Sequence, residues 1–324
     1  MLLEIDLFLI QNTCYLLQRR SVFLNLQPRT PLKLSGISKS SFGERRRFEV
    51  PSSKDHNLRS EWILRDFTYR FRYKQNSLPM TKAWIAGLLE GDGGIYVSKK
   101  NTVSLEITLH QNKCQALMKV KKVLGVGQVS ARQGSQSVRY RIHRSAHLKT
   151  ILPSLYPFLL TQKTFCQYQK ACACLHIPCE SLDRFVERTK HKDMFSNAWL
   201  AGFFDAEGHI NLNRRHFQVS LSIAQKDPCV LKRIAKTFGG NVYKDKSGSG
   251  WVYFCSSASD MQNWWTYFST WKLFTPKAYE LIQVKRLLLF KKRKYVTSAH
   301  YRPRFLRLVK KLSMDRKKRK STES

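Results

Sequence analysis

From residue 103 the chain alternates: Val103, Leu105, Ile107 and Leu109 are apolar, and Ser104, Glu106, Thr108 and His110 stand between them. A second run does the same, with Phe217, Val219, Leu221 and Ile223 separated by Gln218, Ser220, Ser222 and Ala224. Successive side chains of a strand point to opposite faces, so each run predicts a half-buried strand. Both runs reach a glutamine of core-side parity, Gln111 and Gln225, and a helical pattern then leads to Gly125-Val-Gly127 or Gly239-Gly240. A hairpin follows in each. In the first, Val138, Tyr140 and Ile142 share one face and Arg139, Arg141 and His143 the other, after a turn at Gln133 to Ser137; in the second, Ser247-Gly-Ser-Gly250 turns the chain before Trp251 to Cys255.

Ahead of each alternating stretch lies an apolar run of about three helical turns, the second nearly repeating the first: Ala-Trp-Ile-Ala-Gly-Leu-Leu-Glu-Gly-Asp-Gly from Ala83 to Gly93, and Ala-Trp-Leu-Ala-Gly-Phe-Phe-Asp-Ala-Glu-Gly from Ala198 to Gly208. Thr81 and Ser196 precede these runs as N-cap residues, so both are predicted helices. Gly87 and Gly91 are four apart, as are Gly202 and Ala206, and residues four apart share a helix face. Each helix thus carries a strip with almost no side chain, which lets two backbones approach closely, and the two helices are expected to pack on each other through Gly87, Gly91, Gly202 and Ala206. That packing brings Asp92 and Glu207 together in the last turns, with Gly93 and Gly208 expected as left-handed C-caps. Two acids at the negative ends of two helix dipoles require positive charge nearby. A hard divalent cation held by carboxylate, carbonyl and water oxygens would supply it; solvated acids with no ligand are the alternative.

One further match runs between the copies. Leu160-Thr-Gln-Lys163 corresponds to Phe274-Thr-Pro-Lys277, and Gln111 to Lys163 keeps the same separation as Gln225 to Lys277. Either these positions carry topology alone, or Lys163 and Lys277 lie near the acids and stabilise charge on a phosphate.

Composition then narrows the partner. The 58 Lys and Arg against 22 Asp and Glu give a net charge of +36, while 42% hydrophobic and 12% aromatic residues are enough for proper cores. Such a surface attracts polyanions: nucleic acid first, an anionic membrane face or a ribosome-like assembly otherwise. Arginines at period two suit a ribbon lying in a DNA groove, although a solvated face is the ordinary meaning of such charges. Lys99, Lys100, Arg132, Arg139, Arg141, Arg214, Arg215, Lys244 and Lys246 are the candidate DNA contacts. The eight cysteines follow neither disulfide nor zinc-ribbon spacing; even Cys172, Cys174 and Cys179 lack paired C-x2-C units. The apolar start, Met1 to Leu17, is interrupted by Glu4 and Asp6 and followed by Arg19-Arg20, which argues against a signal peptide or a membrane span. The expected organisation is an N-terminal extension at 1–77, partly disordered or a small docked subdomain, then half-domains at 78–175 and 195–295. A charged linker at 176–194 joins them, and a solvated basic tail follows at 296–324.

The segments Ile85-Ala-Gly-Leu-Leu-Glu-Gly-Asp-Gly93 and Leu200-Ala-Gly-Phe-Phe-Asp-Ala-Glu-Gly208 resemble the paired motifs of single-chain LAGLIDADG homing endonucleases. The resemblance covers roughly Thr81 to Tyr295. It implies an α+β fold of two pseudo-symmetric αββαββα half-domains, with motif helices at the interface and two antiparallel sheets forming a saddle over DNA. It implies an intron-encoded enzyme that hydrolyses both strands with Mg2+, or another divalent cation such as Mn2+, leaving short 3′ overhangs. Asp92 and Glu207 would bind the metals, Gly91 and Ala206 would lend them backbone carbonyls, and Gln111, Gln225, Lys163 and Lys277 match the positions that order catalytic solvent. Further implications are a monomer acting on a long, non-palindromic duplex, no membrane association, and an organelle, the chloroplast ahead of the mitochondrion. An RNA-binding maturase of the same fold, with host intron RNA as partner, and a non-catalytic DNA-binding protein are the alternatives.

Overall fold

The computed structural model describes residues 81–190, 196–213, 215–245, 248, 250–292 and 297–310. The expectations for 1–77, Arg214, Lys246 and the end of the basic tail lie outside the described residues. The first half runs α1 (Lys82–Asp92), β1 (Gly93–Val97), β2 (Val103–His110), α2 (Cys114–Leu124), β3 (Gln128–Ala131), β4 (Ser137–Ile142), α3 (Ser145–Leu155) and α4 (Gln162–Leu175). After α5 (Leu182–Lys190) the order returns as α6 (Trp199–Glu207), β5 (Gly208–Asn213), β6 (Gln218–Gln225), α7 (Pro228–Phe238), β7 (Asn241–Lys244), β8 (Trp251–Cys255), α8 (Ala258–Thr270) and α9 (Lys277–Lys292). Each half holds one antiparallel four-stranded sheet, ordered β1-β2-β4-β3 and β5-β6-β8-β7. Alternation sets the faces: Leu105, Ile107, Val138, Tyr140 and Ile142 are buried in the first sheet, and Val219, Leu221, Ile223, Tyr253 and Cys255 in the second. This is the α+β architecture the sequence predicts.

The motif helices meet as expected. Each is buried on nearly every side because its own half-domain covers one flank and the other helix the rest. The fit is reciprocal. A Cβ on Gly87 would fall on the Trp199 carbonyl, and one on Gly202 would fall on the Trp84 carbonyl, far inside van der Waals contact in both cases. Further along, a Cβ on Gly91 would overlap the Ala206 methyl group.

Three expectations fail here, each for a physical reason. Gly93 and Gly208 are not left-handed caps: both are extended, at φ −134° and −73°, because the chain passes straight from helix into β1 or β5. They are glycines for space, since a Cβ would press on the Glu106 carbonyl at 2.7 Å in the first case and into the Phe204 ring in the second. Thr81 does cap α1, accepting from the Trp84 N–H at 3.3 Å. Ser196 does not cap α6; Asn197 Oδ1 takes the Trp199 N–H at 2.8 Å instead. The segments expected as polar linker and solvated tail also hold structure. Phe185 of α5 stacks on Phe165 at 4.0 Å, and a helical stretch at 302–310 buries Phe305 edge-on against Phe217.

Candidate active site at the helix junction

α1 and α6 end side by side, and their last residues are Asp92 and Glu207. Glu207 Cγ lies 3.1 Å from where a Gly91 Cβ would be, so the missing side chain makes room for the second carboxylate. Burial pushes the Asp92 carboxyl up from its ordinary range, opposed by the charges of Lys113, Lys277 and His209. Burial also raises Glu207, and the Asp92 charge raises it further; a hydrogen bond from the Gln225 side chain and the charges of Lys277 and Lys163 pull the other way. The acids are therefore near enough to repel.

The positive charge that two such acids require is partly built in. Lys277, the first residue of α9, points its Nζ at the end of α6 and donates to the carbonyls of Phe204 (2.9 Å), Asp205 (2.9 Å) and Ala206 (3.0 Å). An ammonium at a helix C-terminus satisfies carbonyls that have no partner within the helix and opposes the dipole. Burial, and then the charge of Lys113, lower the Lys277 pKa to about 7 against the pull of Asp205, Asp92 and Glu207. Lys163, the corresponding residue on α4, is exposed and reaches Glu207 through its charge alone.

What holds Lys277 in place is a layer that sequence reasoning missed. The repeats contain a second pair of acids, Glu90 and Asp205, both buried. Glu90 accepts from the Leu160 N–H (2.9 Å), the Thr161 N–H (2.7 Å), the Thr161 hydroxyl (2.8 Å) and the indole of Trp199 across the interface (2.6 Å). Asp205 repeats the arrangement, taking the Phe274 N–H (2.7 Å), the Thr275 N–H (3.3 Å), the Thr275 hydroxyl and the indole of Trp84 (3.1 Å). The Leu-Thr-Gln-Lys and Phe-Thr-Pro-Lys segments are thus clamped to the motif helices by their threonines, and each lysine follows two residues later. Topology and charge, the two readings left open above, are one device. The signal was available: Glu90 and Asp205 occupy equivalent places in the two copies, as do Trp84 and Trp199.

The glutamines are less equivalent than their spacing suggests. Gly93 pairs with Ile107 but Gly208 with Ile223, so the second hairpin is one residue longer. Gln225 therefore stands at the end of β6, two residues past Ile223, and bonds Glu207; Gln111 stands four past Ile107, in a 3-10 turn. Its N–H donates to the Gln136 carbonyl at 2.8 Å, and among the described residues no contact joins its side chain to either acid. Lys113 takes the place beside Asp92, its Nζ 4.0 Å from the carboxylate and 3.4 Å from the Asp205 carbonyl. No cue in the repeats marks Lys113: the residue that precedes the corresponding helix in the second copy is Asp227, an acid rather than a lysine.

Of the candidate DNA contacts, Lys99, Lys100, Arg132, Arg215 and Lys244 are exposed, all but Lys244 in hairpin turns. Arg139 and Arg141 lie on the solvent face of β4 as predicted, yet both are bound to Glu106 of β2, at 3.1 Å and 2.9 Å. The first sheet's basic face is thus a charged triad.

Two fused half-domains, each an antiparallel sheet backed by helices and joined through a glycine-packed helix pair ending in acids, define a duplicated α+β protein with one central carboxylate site. The family model described as LAGLIDADG endonuclease matches residues 85–175 and 200–288, and the chain belongs to that family. It is 28% identical over 196 residues, 59% of this chain, to the intron-encoded RNA maturase bI4 of Saccharomyces cerevisiae. It is 26% identical over 224 residues, 64% of this chain, to the probable intron-encoded endonuclease aI2 of Debaryomyces hansenii. The matched regions span 29% and 32% of those relatives. The structure of the I-SmaMI LAGLIDADG homing endonuclease bound to cleaved DNA superimposes with a TM-score of 0.56, over 72% of this chain and 97% of that one, at 16% identity. The chloroplast expectation is overturned: the relatives come from yeasts, Neurospora and Dictyostelium, organisms without chloroplasts, which points to the mitochondrion.

Proposed function

We propose that the chain is a site-specific, intron-encoded DNA endonuclease that cuts both strands of a long, non-palindromic duplex as a monomer and leaves short 3′ overhangs. The observation that carries this reading is the convergence of Asp92 and Glu207, one from each half, on a junction reached by Lys277 and flanked by both sheets. Among the described residues no cluster of three or more His, Cys, Asp or Glu could hold a metal. Two carboxylates alone suit a hard cation that fills the rest of its shell with water and phosphate oxygens, and both carboxyls, raised by burial and in Glu207 also by the Asp92 charge, would regain their ionised form beside one. Asp92 and Glu207 would hold Mg2+ or Mn2+, which would polarise the phosphate and lower the pKa of a bound water. Gly91 leaves the space. The Ala206 carbonyl, expected as a further donor, already accepts from Lys277, whose charge sits where negative charge builds on the phosphate.

The test is cleavage of duplex carrying the uninterrupted insertion site, with Mg2+. Cutting by the intact chain and none by Asp92→Asn or Glu207→Gln is the expected result; equal cutting by the variants would end the two-acid reading. The similarity to an RNA maturase supports a second reading, an intron-splicing cofactor. Improved splicing of the host intron, without cutting of its insertion site, would favour it.

A further inference from the structure

The sheet registers allow the two DNA-facing surfaces to be compared row by row. Ile107 corresponds to Ile223 and Tyr140 to Tyr253, because each pair holds the same place relative to Gly93 and Gly208 and to the central strand. One solvent-facing row of the first sheet is then Thr108, Arg139 and Ser130; the matching row of the second is Ala224, Val252 and Tyr243. In the next row, Glu106 and Arg141 are replaced by Ser222 and Phe254.

The chemistry of the faces therefore differs although the backbone repeats. On the first, Glu106 accepts from Arg139 and Arg141 and from the Ser104 hydroxyl at 3.1 Å, which fixes both guanidinium groups in direction. On the second, Tyr243 is 54% exposed and Phe254 39%, on adjacent strands of one face; the first sheet presents one exposed aromatic, Tyr96, at its β1 edge beside the triad. Large apolar groups on an open sheet face call for an occupant. In the major groove the apolar group is the thymine 5-methyl, which alanine and phenylalanine side chains contact, whereas arginine forks onto guanine O6 and N7 and a carboxylate accepts from cytosine N4.

We propose that the two sheets read their half-sites by different chemistry: the first through hydrogen bonds from the Glu106, Arg139 and Arg141 triad to G·C pairs, the second through contact of Ala224, Val252 and Phe254 with thymine methyl groups. This rests on the DNA-binding reading above. The occupant of the apolar face is the half-site duplex, because that face adjoins the acids: His209, which pairs with Ser222 in the row of Phe254, acts on Asp92 through its charge. Apolar side chains leave the edges of guanine and cytosine without partners, so they discriminate by what they fail to satisfy as well as by what they touch. The thymine positions accordingly lie beside the cut and on one side of it.

The experiment is selection of bound duplexes from a randomised DNA library by the full chain in EDTA, repeated with uracil in place of thymine. Expected are guanine-containing enrichment in one half and thymine enrichment in the other, with uracil weakening binding through the second half alone, by about four-fold for each methyl lost. Arg141→Gln should relax the guanine half only. Val252→Thr with Phe254→Gln should remove the uracil effect. A specific consensus with no uracil effect, or an equal effect in both halves, overturns the proposal and leaves DNA binding standing. No enrichment at all overturns both. Because the uracil comparison uses the unaltered protein, it decides even if a variant fails to fold.

Discussion

Glu90 accepts hydrogen bonds from four donors and is buried from solvent, and burial still outweighs those bonds, lifting its carboxyl from the ordinary range to about 7. A carboxyl whose folded pKa exceeds its unfolded one favours folding while it is protonated. Its contribution is fully present below the unfolded value of 4.5 and is lost as pH rises through about 7, a change on the order of 3 kcal/mol. Glu90→Gln cannot titrate, so relative to the parent it should melt at progressively higher temperature between pH 5 and pH 8; parallel melting curves across that range would show that Glu90 is ionised throughout. Among the residues proposed for catalysis, Lys277 and Lys163 hold equivalent positions with unequal contacts. Lys277→Met should slow cleavage by about 100-fold, the effect of losing one preorganised donor at developing negative charge. Lys163→Met, which removes a charge acting at longer range, should slow it less and let a duplex nicked in one strand accumulate. Time courses on supercoiled plasmid separate nicking from linearisation, and equal losses would mean the two lysines act alike.

Helix α1 against helix α6 is the element on which both halves depend, because Gly87 and Gly202 each face a tryptophan carbonyl of the other helix. Gly202→Ala must push the backbones apart, and overpacking of this kind costs roughly 1 to 3 kcal/mol or more. Gly248→Ala, where a Cβ would meet nothing, is the control. Differential scanning calorimetry should show a lower Tm for the first only; an unchanged Tm would mean the helices are not held at this distance. This contact was legible in the sequence because small residues at a spacing of four, written twice, have few other uses. The strands were legible for a similar reason, since one face of each is buried and the period is two. The helix at 302–310 was not: its buried positions, Phe305 and Val309, are only one turn apart and stand among four basic residues, Arg302, Arg304, Arg307 and Lys310. The left-handed glycines were misread because a glycine ending a helix satisfies two demands, conformation and space, and sequence alone does not say which.

Across the whole molecule the excess positive charge governs how it meets a polyanion, and the structure changes which residues deliver it. Read from the sequence, Arg139 and Arg141 are candidate DNA contacts, and each phosphate they neutralised would add about one unit to the salt dependence of binding. Their shared pairing with Glu106 could not be read that way, because the three residues come from strands far apart in sequence and meet only through the register of β2 with β4. An arginine held by a carboxylate releases few counterions, so Arg139→Ala should leave the salt slope nearly unchanged while altering which sequences bind. Lys99 and Lys100 are exposed at the β1–β2 turn and have no acid partner among the described residues. Replacing both with alanine should flatten the plot of log affinity against log salt by about two units, uniformly for specific and random duplexes. Glu106→Gln should do the opposite, freeing two guanidinium groups, steepening the slope and tightening binding to random DNA more than to the target. Fluorescence anisotropy from 50 to 300 mM salt (roughly the range over which counterion release dominates) measures all three. If Glu106→Gln changed neither slope nor discrimination, the triad would be remote from the duplex, and the first sheet would have to meet DNA through its turns alone.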